Sequence, residues 1–220
     1  MEKFVERPAK VKSGRPRKLL WGVGLNDANY MVRYRGVGGK SLVCPFYRKW
    51  KDMLKRCYSD RCHARYPTYK GCFVHKNWHT FSVFRKWMEQ RDWEGKQLDK
   101  DLLIKGNKEY SPSSCIFVSQ KINTLLLSCS SARGDLPQGV TWDKTKNKYS
   151  SRIRLNGVNQ SLGRFSSQEE AERVYCKAKA SQVQTIAYEE EASTQPLLQE
   201  ALLTVAKGFT DRYEYLCPSG

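Results

Sequence analysis

Residues 139–180 read GVTWDKTKNKYSSRIRLNGVNQSLGRFSSQEEAERVYCKAKA, and the period of this stretch decides the fold. From Lys148 to Leu155 the side chains alternate. Tyr149, Ser151, Ile153 and Leu155 share one direction, and Lys148, Ser150, Arg152 and Arg154 share the other. One strand therefore carries an apolar face and a basic face. Val140 and Trp142 predict a short strand before it; Val158, Gln160 and Leu162 predict one face of a strand after it. Asn147 and the Asn156-Gly157 pair supply the turns, the latter being a dipeptide that two-residue hairpins favour. The period then lengthens. Ser167 followed by Glu170 has capping-box spacing. Behind it Ala171, Val174, Tyr175, Ala178 and Ile186 recur at helical intervals. The predicted unit is three short antiparallel strands with one helix across their apolar face, and such a sheet leaves its other face free.

That free face offers Lys148, Arg152, Arg154, Asn159 and Ser161, donors suited to phosphate oxygens and base edges. A merely solvated strand face is the alternative; the single sign of the charges argues against it. The combined motif GVTWD, NKYSSRI, QSLGRF, EEAERVY resembles the AP2 DNA-binding domain in its phage and bacterial form. The resemblance implies that the sheet enters the major groove of double-stranded DNA. It places the family's DNA-facing positions on Thr141, Asp143, Lys148, Arg152, Arg154, Asn159 and Ser161. Asp143 and Ser161 stand where plant members carry Arg and Trp, so the site those members read does not carry over.

The whole chain of 220 residues has a net charge of +17, unevenly spread. Residues 168–220 hold nine acidic and five basic residues, a net of −4, which leaves about +21 on residues 1–167. Such a chain favours a polyanion, with affinity that falls steeply as salt rises. An anionic membrane is the competing partner, but no apolar run approaches the length of a membrane span or a signal-peptide core. The expectation is no membrane, no evident small-molecule substrate and a cytoplasmic location, with the protein partner left open. Eight cysteines are too few for a disulfide scaffold at this length. Six of them, Cys44, Cys57, Cys62, Cys72, Cys115 and Cys129, precede residue 131 together with His63, His75 and His79. No CxxC pair is present, so buried free thiols are favoured over structural zinc.

Upstream, residues 1–20 form a basic arm with seven Lys or Arg against two Glu. Its Ser13-Gly14-Arg15-Pro16-Arg17-Lys18 segment resembles an AT-hook, which implies Arg15 and Arg17 in a narrow minor groove. Residues 21–43 suggest a strand or hairpin. Phe46, Tyr47, Trp50, Met53, Leu54, Cys57 and Tyr58 mark an amphipathic helix, and Phe81, Phe84, Trp87 and Met88 a second, both read as core. Residues 98–127, LDKDLLIKGNKEYSPSSCIFVSQKINTLLL, resemble the second half of an HNH (His-Me finger) endonuclease motif. The resemblance implies metal ligation by Asp99 and Asn123, with Asn107 in the intervening loop and Lys100 at the usual histidine position. In that family Mg²⁺ or another divalent ion stabilises charge on the scissile phosphate, and a neutral His activates water. An ammonium is a poor base unless its pKa is lowered. His63, His75 and His79 are the remaining candidates for that role.

The expected fold is α+β: a small HNH-like α/β module, then an AP2-type sheet packed on one helix, then a C-terminal helix. The expected division is a flexible basic arm over residues 1–20, the HNH-like module over 21–130, the AP2-like domain over 131–190, and a helix and tail over 191–220. Leu197, Leu198, Ala201, Leu202 and Val205 mark that last helix, expected to end near Gly208. Residues 128–135, SCSSARGD, read as the linker. The function implied is a phage-type homing-like DNA endonuclease. A non-catalytic, regulatory or host-interfering DNA-binding protein with a degenerate HNH module is the alternative. An RNA-binding role fits the charge but not a sheet suited to B-form grooves.

Overall fold

Helix α1 (Pro45–Tyr58) starts on a proline, whose missing N–H costs nothing at a first helical position. Its repeat buries Trp50, Met53, Leu54 and Cys57. Ser59 then caps the short helix α2 (Asp60–Arg65) by accepting from the Cys62 N–H. Helix α3 (Phe81–Glu89) buries Phe81, Phe84, Trp87 and Met88. The ring of Trp78 lies 4.5 Å from Trp87 and 5.1 Å from Phe84, and the Trp50 indole N–H donates to the Trp78 carbonyl at 2.6 Å. This aromatic mass holds strands too short to persist alone. β1 (Arg33–Arg35) pairs antiparallel with β2 (Ser41–Val43). β3 (Phe73–Val74) runs parallel to β5 (Glu109–Tyr110), and β4 (Gln97–Asp99) antiparallel to β6 (Ile116–Val118).

These elements come from a computed structural model that describes residues 2–9, 18–127 and 134–217. The protein is a mixed α+β chain with small sheets, divided into two compact units, residues 1–119 and 120–220. Among the described residues no helix is long and apolar enough to cross a membrane. Part of the expected flexible arm is instead packed. Ala9 donates to the Asn29 carbonyl and Met31 to that of Arg7, an antiparallel bridge centred on Pro8 and Tyr30. Phe4 lies 5.3 Å from the Tyr34 ring, Arg7 sits over the same ring at 4.1 Å, and Glu6 pairs with Arg85 at 2.8 Å. An apolar anchor and backbone pairing thus outweigh the solubility of the basic residues. Arg15, Arg17 and most of the expected linker lie outside the described residues.

The second unit begins with helix α4 (Gln120–Leu125), so it starts upstream of the expected linker. β7 (Val140–Asp143), β8 (Lys148–Leu155) and β9 (Val158–Phe165) form one antiparallel sheet in that order. Asn156 and Gly157 both have positive φ, the geometry of a tight hairpin turn matched to strand twist. Ser167 accepts from the Glu170 N–H and caps helix α5 (Gln168–Ala187). After a single turn, α6 (Glu190–Ser193), helix α7 (Pro196–Tyr215) packs along α5. It continues through Gly208 because contacts there outweigh the poor helix propensity of glycine. Arg212 forms two hydrogen bonds to Glu172, and Phe209 meets the Tyr175 ring at 6.3 Å. Leu198, Leu202 and Ala206 are its buried stripe, whereas Leu197 is exposed.

Helix α5 is buried on more than its sheet side, since Cys176, Lys179, Ala180 and Val183 are covered as well. Lys179 is 6% exposed. Its ammonium donates to the Leu125 carbonyl at 2.9 Å, near the end of α4, and to Gln182 Oε1 at 3.1 Å. Gln182 in turn donates to the Arg154 carbonyl. Burial lowers the Lys179 pKa from 10.5 to about 8. Below about pH 8 both folded and unfolded chains hold this proton, and the charge is buried at full cost. Between about 8 and 10.5 the unfolded chain binds more protons, so this group raises stability with pH. In denaturant melts, the stability of the protein relative to Lys179→Met should therefore shift in favour of the parent as pH rises through that window.

Candidate nucleic-acid interface

The free face of the sheet is set by pairing across β8. Thr141 lies opposite Ser150, Arg152 opposite Ser161, and Arg154 opposite Asn159. Lys148, Thr141, Arg152, Arg154, Asn159 and Ser161 are all exposed, and directly opposed residues share a face. The other face carries Val140, Ser151 and Ile153, buried, and the edge-to-face pair Trp142 and Tyr149 with ring centroids 4.7 Å apart. Arg154 donates from Nε to the Gly157 carbonyl at 3.0 Å, which fixes its stem over the hairpin turn.

A break in register adds a residue that strict alternation hides. Ser151 pairs with Gly163, but the next residue, Arg152, pairs with Ser161. Leu162 is thus an extra residue in β9, a β-bulge. Gly163 has φ +130, and an added Cβ there would come within 2.9 Å of the Phe165 ring. The bulge resets the alternation, so Arg164, three residues after Ser161, returns to the free face. Counting by two from Asn159 places Arg164 on the covered side; only the shifted register reveals it.

Arg164 reaches across the middle strand to Asp143 on β7, with Nε 2.9 Å from Oδ2. Ser150, the small residue that Arg164 opposes, is 2% exposed although it belongs to the free face. The other oxygen of Asp143 is tied into the turn. Oδ1 accepts from the Thr145 N–H, the Thr145 hydroxyl and the Lys146 N–H. The Thr145 hydroxyl and Arg164 together hold the Asp143 carboxyl down at about 2, so it is charged at neutral pH. Asp143 is therefore a turn cap and the anchor of a neighbouring arginine.

In the first unit, Asp99, Lys100 and Asn107 come together in the loop between β4 and β5. Asp99 Oδ1 accepts from the N–H groups of Asp101 and Leu102, both at 2.8 Å. Lys100 is 5% exposed; its ammonium pairs with Asp101 and donates to the Asn107 carbonyl at 2.8 Å. Asn107 donates to the carbonyls of Lys100 and Glu109 and accepts from the Glu109 N–H. All three side chains thus brace the loop. Asn123 lies on α4, in the other unit.

The polar groups of this loop are largely engaged with one another. Asp101 is paired with the Lys100 ammonium, and the Asn107 side-chain oxygen accepts from the backbone. Among the described residues no group of three or more His, Cys, Asp or Glu is arranged to hold a metal. His63 and His79 each bond a backbone carbonyl, of Arg56 and Val74, and His75 accepts from the Asn77 N–H. Cys44, Cys57, Cys62, Cys72, Cys115 and Cys176 are buried free thiols, and burial pushes Cys57 and Cys115 up to about 12.

Asn107→Ala removes three loop hydrogen bonds and should lower the stability of the first unit by about 2 kcal/mol, read by denaturant melts. A variant as stable as the parent would release Asn107 from this bracing role. Compared with protein-family models, with curated proteins and with solved structures, the chain matches none of the three sets.

Proposed function

We propose that the protein binds duplex DNA through the free face of its three-stranded sheet, in the manner of an AP2 domain. The observation that carries this reading is the face itself. Lys148, Arg152, Arg154 and Arg164 stand exposed on it with Thr141, Asn159 and Ser161, and its carboxylate, Asp143, is already paired. A strand surface of this size fits a B-form major groove, and its amide and hydroxyl groups sit among the cations where base edges would lie. The first unit is a HNH-like module that acts without cleaving at the Asp99–Lys100 loop. The braced state of Lys100 and Asn107 supports this regulatory or host-interfering form over the homing-like endonuclease.

Arg152→Ala with Arg154→Ala should weaken duplex binding and reduce the slope of log affinity against log salt by about two phosphates' worth. Unchanged affinity and slope would remove the sheet from the interface. The endonuclease reading is tested beside it by plasmid nicking with Mg²⁺ or Mn²⁺. Nicking lost in Asp99→Ala and Asn123→Ala would replace the non-catalytic form with a metal-dependent nuclease. Salt-sensitive binding without nicking is the expected result.

A further inference from the structure

We infer that Arg164, steadied through its Nε by Asp143, reads a guanine in the bound duplex, and that Asp143 is the residue that positions it. The inference rests on the duplex-binding reading above and names a specificity element within it.

Three features point to a base rather than a phosphate. First, the contact to Asp143 uses Nε, the inner nitrogen of the guanidinium. The two terminal nitrogens are the pair that meets O6 and N7 of guanine in bidentate fashion. Second, the carboxylate beside them repels phosphate, whereas the groove floor offers amino donors, such as cytosine N4, that a carboxylate accepts. A cation meant only to neutralise the backbone gains nothing from an adjacent anion. Third, the pair is pre-organised. Asp143 Oδ1 is fastened by three hydrogen bonds from its own turn, so Oδ2 is presented in a fixed direction, and an arginine held on such a support loses less freedom on binding. Small Ser150 lets this arrangement lie flat across the middle strand, and the bulge at Leu162 brings Arg164 to the right face.

The test is selection from a randomised duplex pool with the full chain, run in parallel with Arg164→Ala, Asp143→Asn and Arg152→Ala. Asparagine keeps an oxygen for the turn but loses the second acceptor that faces Arg164, so it separates support from turn capping; melting curves check that each variant is folded. The expected wild-type motif contains a guanine that becomes degenerate in both Arg164→Ala and Asp143→Asn. Arg152→Ala should leave that guanine in place. On the selected site, affinity should fall about tenfold to a hundredfold for Arg164→Ala, and 7-deazaguanine at that position should produce a similar loss in the parent protein. A motif unchanged by Arg164→Ala would overturn the inference, and one unchanged by Asp143→Asn alone would overturn the positioning role. Salt-sensitive binding without any sequence preference would overturn the inference while leaving duplex binding intact. No binding to any duplex by the parent protein would sink the duplex-binding reading and this inference with it.

Discussion

The pairing of β8 with β9 governs which side chains can act together. A strand has a period of two, so every residue's face follows from its neighbour's unless the ladder slips. Here it slips once, between the Ser151–Gly163 and Arg152–Ser161 pairs. Without the extra Leu162, either Asn159 and Ser161 or Arg164 would turn toward helix α5. An arginine there would have to bury its charge among Val140, Ile153 and Tyr175, at a cost of several kcal/mol unless paired. One inserted residue, made possible by the backbone freedom of Gly163, separates charge from core along the full strand. The same bulge increases the local twist of the sheet.

The first unit obeys a different constraint. Its strands are two or three residues long, and their position depends on the aromatic packing around Trp78. The loop between β4 and β5 is stabilised by polar groups instead. A nearly buried ammonium at Lys100 requires acceptors, and Asp101 with the Asn107 carbonyl supplies them. These groups are committed to one another within the loop. The positions that resemble a nuclease motif are thus occupied by residues that make a stable loop.

Much of this was legible because it is local. The alternation of Lys148 to Leu155, the Asn156-Gly157 turn and the Ser167 cap each depend on a few adjacent residues, and each is found where the pattern puts it. Helices α1 and α3 follow from their aromatic repeats in the same way. What could not be read is non-local. The bulge leaves no mark on the periodicity of β9 beyond the Leu162-Gly163 pair, so the place of Arg164 on the free face is not legible from the pattern. Lys179 looks like a solvated helix residue until α4 covers it. The packing of residues 2–9 depends on Tyr30 and Tyr34, too distant in sequence to show in the composition of the arm. Gly208 reads as a helix end because the contacts that override it, Arg212 to Glu172 among them, come from another helix.

Tyr175 has an architectural consequence. An added Cβ on Gly139, whose φ is +79, would fall 2.0 Å from the Tyr175 ring, so backbone and ring are in direct contact at the start of β7. That same ring meets Phe209 of α7. The terminal helix therefore supports the aromatic post on which the first strand rests. The support of the first strand thus extends beyond the sheet and helix α5 to the terminal helix. A chain cut after residue 190 would keep every residue of the free face and lose the buttress behind it.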